Sequence, residues 1–167
     1  AGSLAGAVIG YFTNLFPSDP PKFVVMEARA ADCLYRGALA GDGAPRIVEG
    51  DLQTIMAGLA CGEPNTISWD ILRNHVSAFV SCPDWVSARG MRMLGVPVKG
   101  DPVVISGESG AVGMGLLAAL METDVYRDLR EALELDRFSQ VLMFSTEGNT
   151  DPMKFRKVLW DGEYPTV

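Results

Sequence analysis

Phe23-Val24-Val25-Met26 sets four apolar residues side by side with no polar residue between them, just after Pro20 and Pro21. A strand with one wet face alternates polar and apolar residues. An unbroken apolar run belongs to a strand covered on both faces, as in parallel sheets. The spacing therefore predicts a strand over residues 22–26, a short one over 78–81 and a buried one over 140–144. Helical periodicity fills the gaps. Leu4, Val8, Tyr11, Phe12 and Leu15 fall on one face of a predicted helix over 3–16. Further helices are expected over 30–40, over 51–60 with Asp51 as its cap, and from Ser68 onward carrying Trp69, Leu72, Val76 and Phe79. Asp84 is the expected cap of the next helix, which ends at Gly95. Residues 111–121, 126–135 and 152–160 complete the helical set, the last started by Pro152. Alternating helices and apolar strands without an Asn-Gly hairpin signal describe an α/β fold around a mostly parallel sheet.

A chain of 167 residues can enclose a core, and residues 1–167 are expected to form a single domain. Hydrophobic residues at 48% and charged residues at 21% exclude a disordered chain. The net charge of −7, with 14 scattered Lys and Arg, gives no basic footprint for nucleic acid. Cys33, Cys61 and Cys82 form no Cys-x-x-Cys pair, so no zinc ribbon is signalled, and free thiols in a reducing compartment are expected. The apolar opening stretch is too short and glycine-rich to span a membrane. It also lacks a basic leader and an initiator Met, so Ala1 is expected not to be a biological start.

In α/β sheets ligands gather at the carboxyl ends of strands, which directs attention to three joints. Gly2-Ser3-Leu4-Ala5-Gly6 offers successive amides at a helix start, a setting for a phosphate, although similar turns also serve packing alone. Ser106-Gly107-Glu108-Ser109-Gly110 feeds an apolar helix. Ser109 could be read as a nucleophile, but the last glycine of a Gly-x-Ser-x-Gly elbow is missing, and His75, the one histidine, precedes the serine. Ser145-Thr146-Glu147-Gly148 follows the predicted strand over 140–144, with Asp151 a cap for the Pro152 helix. Glu63, in the turn after the predicted helix over 51–60, is either a general base or a solvated corner. No metal-ligand spacing occurs.

Taken together, these joints resemble diaminopropionate ammonia-lyase, a family of pyridoxal-phosphate (PLP) enzymes. The similarity rests on Gly2-Ser3-Leu4-Ala5-Gly6, residues 27–35, Met56-Ala-Gly-Leu-Ala-Cys-Gly-Glu-Pro-Asn65, Ile105-Ser-Gly-Glu-Ser-Gly-Ala-Val-Gly113, and Ser145-Thr-Glu-Gly148 with Thr150-Asp151. It implies a tryptophan-synthase-β-like fold, here a partial three-layer αβα domain with the N-terminal half of the enzyme absent. Gly2, Ser3, Leu4, Ala5 and Gly6 would hold the cofactor phosphate, and Ser145 or Thr146 would face the pyridine nitrogen. Glu63, Glu108 and Ser109 are candidate active-site lining.

The reaction implied is α,β-elimination of 2,3-diaminopropionate to pyruvate and ammonia. A cytoplasmic homodimer acting on a small amino acid, without nucleic acid or membrane, is implied as well. The Schiff-base lysine and the proton-transfer aspartates would lie upstream, since Lys22, Lys99, Lys154 and Lys157 match no such segment, so this chain alone is expected to be inactive. Ala28 and Asn149 stand where the family usually has proline and aspartate, which leaves serine or threonine dehydration open. A noncatalytic α/β binding or oligomerisation module is the alternative of a different class.

Overall fold

The computed structural model describes residues 1–167, which group into two compact units, residues 1–54 with 58–81 and residues 55–57 with 82–167. In the first unit, α1 (Ser3–Leu15) packs on α3 (Thr66–His75), and β1 (Val24–Ala28) leads through a single 3₁₀ turn into α2 (Cys33–Ala40). β1 pairs with β2 (Ala78–Cys82) in a two-stranded parallel sheet. Ile9, Val25, Cys33, Leu34, Val48, Trp69 and Leu72 form the buried core. Trp69 fills the space left by Gly37, where a Cβ would lie 2.8 Å from its ring, and its indole N–H donates to Gly43 O at 2.9 Å.

The second unit is built on α4 (Asp84–Gly95) against α5 (Glu108–Glu122), with α6 (Arg127–Ala132) and α7 (Pro152–Leu159) at its margins. Two glycines let α4 and α5 touch backbone to backbone. A Cβ on Gly90 would sit 2.0 Å from Ala111 O, and one on Gly115 would sit 1.8 Å from Val86 O. Around this crossing Val86, Ala88, Met91, Ala111, Val112, Leu116 and Ala119 are buried. Arg92 ties down the end of the chain through carbonyls of Val158, Glu163 and Tyr164 at 3.1–3.3 Å.

The strand over 140–144 does not form. Val141, Leu142 and Phe144 are exposed in extended chain without a ladder, because an apolar run becomes a strand only beside a neighbour, and no other segment of this unit pairs with it. The helix over 51–60 is also absent. Asp51 instead accepts from the Gln53 N–H at 3.3 Å, Leu52 adopts φ +49°, and Val48 N–H donates to Gly62 O at 2.9 Å. An Asx turn has captured the backbone that the helical pattern would have used. The α3 cap is Asn65 rather than Ser68, and the expected helix over 126–135 is a 3₁₀ turn followed by the short α6, ended by Glu134 at φ +56°.

Gly115→Ala is expected to lower the unfolding free energy of the second unit by at least about 3 kcal/mol, the upper end of overpacking costs, because backbone on both sides must move. Gly10→Ala, in α1 with nothing within 4 Å of the new methyl, is expected to raise stability by about 0.5–1 kcal/mol. Urea denaturation of both variants checks the pair of signs.

Candidate functional site

A helix leaves its first amides without intrahelical partners. In α1 the first helical bond runs from Gly6 N–H to Gly2 O at 2.8 Å, so the amides of Ser3, Leu4 and Ala5 precede it. Gly2, at φ +93°, turns the chain into the helix, and no side chain caps it. Ser3 and Leu4 are exposed. The turn is held from behind by Asn65. Its N–H donates to Ala1 O at 2.8 Å, its Nδ2 donates to Ser3 Oγ at 3.3 Å, and its Oδ1 caps α3 through the Ser68 N–H at 3.0 Å. Side chains at the two outer glycines would break this packing. A Cβ on Gly6 would meet Ser68 Cβ at 2.9 Å, and one on Gly2 would meet Leu72 Cδ1 at 3.0 Å. Open amides and a positive dipole end suit a phosphate monoester.

The motif of residues 27–35 has a separate explanation in the same unit. Glu27 Oε1 accepts from Leu34 N–H at 3.0 Å and Oε2 accepts from Tyr35 N–H at 2.7 Å, so a carboxylate at the end of β1 caps α2. Burial pushes the Glu27 carboxyl up, with the two amide bonds opposing it. Burial, followed by the Glu27 charge, pushes the Cys33 thiol up to about 12, which leaves it protonated and unreactive. None of the three cysteines is disulfide-bonded. Glu63 is exposed on the turn before Asn65.

In the second unit the structure joins two of the predicted loops. Gly107 N–H donates to Glu147 O at 2.9 Å, and Ser109 N–H donates to the Glu147 carboxylate at 2.7 Å. Thr150 Oγ1 donates to the other carboxylate oxygen at 3.2 Å. Glu147 thus caps α5 from 38 residues away, where Gly107 has no side chain to do so. The loops meet so closely that a Cβ on Gly107 would lie 2.5 Å from Gly148 O. Ser145 Oγ lies 2.8 Å from Ser106 Oγ. Thr146 is exposed beside them.

Glu108 is buried at the first position of α5, and its Oε1 has no hydrogen-bond partner. The helix start favours a charged carboxylate, but burial prevails and raises its pKa, with the nearby Glu147 charge acting in the same direction. Ser87 Oγ donates to the Glu108 carbonyl. Ser109 contributes its amide to Glu147, and this unit contains no histidine, so the nucleophile-elbow reading has no base beside it. Glu147, Ser106 and Asn65 were given no role by the sequence. All three stand in the quoted motifs, but a cap across 38 residues or a clamp across 62 has no signature in local spacing.

No family model matches the chain. Diaminopropionate ammonia-lyase of Salmonella typhimurium is 49% identical over 162 residues, which are 96% of this chain and 40% of that protein. The Escherichia coli K12 enzyme of the same name is 47% identical over 163 residues, 98% of this chain and 40% of its own length. Among solved structures, E. coli diaminopropionate ammonia-lyase in complex with an aminoacrylate-PLP azomethine reaction intermediate superposes with TM-score 0.86 at 44% identity, over 99% of this chain and 41% of that one. The same enzyme with D-serine gives 0.88 at 43%, over 99% and 40%. A threonine deaminase, at 22% identity and TM-score 0.59, shares the fold alone. The expected α/β fold therefore stands. Along nearly its whole length this chain is similar in sequence and in fold to the diaminopropionate ammonia-lyases, and it spans about 40% of the length of these relatives.

Proposed function

We propose that this chain is the C-terminal portion of a PLP-dependent carbon-nitrogen lyase that eliminates ammonia from 2,3-diaminopropionate to give pyruvate, and that its own contribution is the phosphate loop and part of the active-site lining. The observation that carries this reading is the first turn of α1, with three open amides, Gly2 at φ +93° and Asn65 clamping it from behind. Pyridoxal phosphate, when bound, supplies an electron sink for the charge left when an amino acid loses its Cα proton. Ser3, Leu4 and Ala5 bind the phosphate through backbone N–H groups, and Gly2 and Gly6 let that turn seat against Leu72 and Ser68 of α3. In the second unit, Ser145 or Thr146 offers a hydroxyl to the pyridine nitrogen. Glu108 and Ser109 are proposed as active-site lining within the second unit, and Glu63 is a separate candidate within the first. None of the four lysines is proposed as the covalent anchor: Lys22, Lys99 and Lys157 are exposed, Lys157 lies 3.9 Å from Glu163, and Lys154 is half-buried in the first turn of α7. A cytoplasmic homodimer is part of the same proposal, and no helix is long and apolar enough to cross a membrane.

The chain alone is expected to bind pyridoxal phosphate through its phosphate and to release no pyruvate from 2,3-diaminopropionate. Asn65→Ala is expected to weaken cofactor binding about tenfold, because the loop loses the Nδ2 bond to Ser3 Oγ and α3, which backs it, loses its cap. Isothermal titration and a coupled pyruvate assay read both. Pyruvate release would place the essential lysine within these residues. Absence of binding would favour the noncatalytic module.

Because the folded pKa of Glu108 is raised, the folded state holds its proton more tightly than the unfolded one. The stability linked to this group is full below pH 4.5 and falls as pH rises through the folded pKa. Glu108→Gln is expected to remove that decline, so the variant gains on the wild type from about pH 5 upward. Denaturation midpoints across a pH series would show parallel curves if the carboxyl were ionised in the fold.

A further inference from the structure

Resting on the reading of Ser145 as the hydroxyl that meets the ring nitrogen, we propose that Ser106 is a positioning residue that donates its proton to Ser145 Oγ and so turns the Ser145 O–H outward, as a donor to an unprotonated pyridine nitrogen.

The two oxygens are 2.8 Å apart, and each hydroxyl also has one distant carbonyl within reach. Ser106 Oγ lies 3.4 Å from Gly107 O, and Ser145 Oγ lies 3.4 Å from Glu147 O. Two arrangements of protons are therefore available, and burial decides between them. Ser106 is 1% exposed, so a proton turned away from Ser145 has only the long contact to the neighbouring carbonyl. Ser145 is exposed and loses nothing when its own proton points to solvent or ligand. A buried donor left poorly satisfied costs more than an exposed one, so Ser106 donates and Ser145 accepts.

The pair is held rigidly. Glu147 fixes both loops through its carbonyl on Gly107 N–H and its carboxylate on Ser109 N–H. A Cβ at Gly110 would come 2.7 Å from Ser106 Oγ and 3.1 Å from Ser145 Oγ, so position 110 carries no side chain that could separate them. A hydroxyl that accepts from a buried donor keeps its own proton free and becomes, by polarisation, a better donor and a poorer second acceptor, and a proton donor stabilises the neutral form of a pyridine over the protonated one.

The test uses the whole chain with pyridoxine 5′-phosphate labelled with nitrogen-15 in the ring. This probe lacks the aldehyde and needs no lysine. The nitrogen chemical shift across a pH series reports ring protonation, and the isotope-split Cβ signals of carbon-13 serine report hydroxyl exchange without any ligand. The expected result is slow exchange of the Ser106 hydroxyl in the free protein. Ser106→Ala should raise the proton affinity of the bound ring about threefold to tenfold, since Ser145 then loses the bond that favours donation and becomes the better acceptor, and Ser106→Cys should fall between. Exchange faster at Ser106 than at Ser145, or a ring that responds to Ser145→Ala but not to Ser106→Ala, overturns this proposal alone. A ring indifferent to both substitutions, or a probe that does not bind, overturns the reading of Ser145 together with it. Thermal midpoints of the variants confirm that each is folded.

Discussion

Every α-helix begins with amides that its own carbonyls cannot reach, and in this chain much of the site follows from how they are supplied. α2 receives Glu27 from the end of β1, α3 receives Asn65, α5 receives Glu147 across 38 residues, and α7 receives Asp151. α1 receives no side chain, and its first amides open beside exposed Ser3 and Leu4. Asn65 stands close enough to bond Ser3 Oγ, yet its carboxamide oxygen is committed to α3. It therefore orients the α1 turn without filling it. A carboxylate in the place of Asn65 would compete with an anionic ligand, and an apolar residue would leave the loop unclamped.

Close approach is the second constraint. Gly90 and Gly115 let α4 and α5 meet at backbone distance, which fixes where the α5 start lies within its unit. Gly107 and Gly110 repeat the device one turn away, where the loop over 145–148 lies against them. The rigidity of the hydroxyl pair is thus inherited from the helix crossing through a short run of backbone, with Glu147 as the pin. That chain of support explains why Ser106-Gly107-Glu108-Ser109-Gly110 carries so many small residues. Gly107 admits the Gly148 carbonyl, Gly110 leaves room for the two serine hydroxyls, and Ser109 supplies its amide to Glu147.

Much of this was legible in the sequence where local rules act alone. The helix over 3–16, the strand near 22–26 and the Asp151 cap follow from periodicity, proline and capping chemistry, and all appear within a residue or two. The glycine joints were legible as turns because a run of small residues before an apolar helix has few other uses. What could not be read was long-range. Glu147 looks like part of a polar turn, and only the fold brings it to the Ser109 amide. Residues 140–144 read as a covered strand because Val141, Leu142 and Phe144 need cover, but a strand is a property of two segments and one segment cannot announce its partner. Residues 51–60 failed for the opposite reason. Asp51 was assigned to a cap, whereas its side chain satisfied the backbone locally and left no helix to cap.

The chain carries a net charge of −7, and no lysine or arginine lies between Ala1 and Gly6, yet this loop is the part assigned to an anion. The resolution lies in where the positive potential comes from. Backbone N–H groups and a helix dipole hold fixed partial charges that need no counter-ion and no mobile side chain. They act over the first turn only, and the negative charges of the surface that lie beyond the Debye length of about 10 Å at 0.1 M salt are largely screened there. A lysine in the loop would raise affinity for any anion. Amides in a fixed arc discriminate by geometry rather than by charge alone. An acidic protein can in this way take an anionic cofactor without becoming a general binder of polyanions.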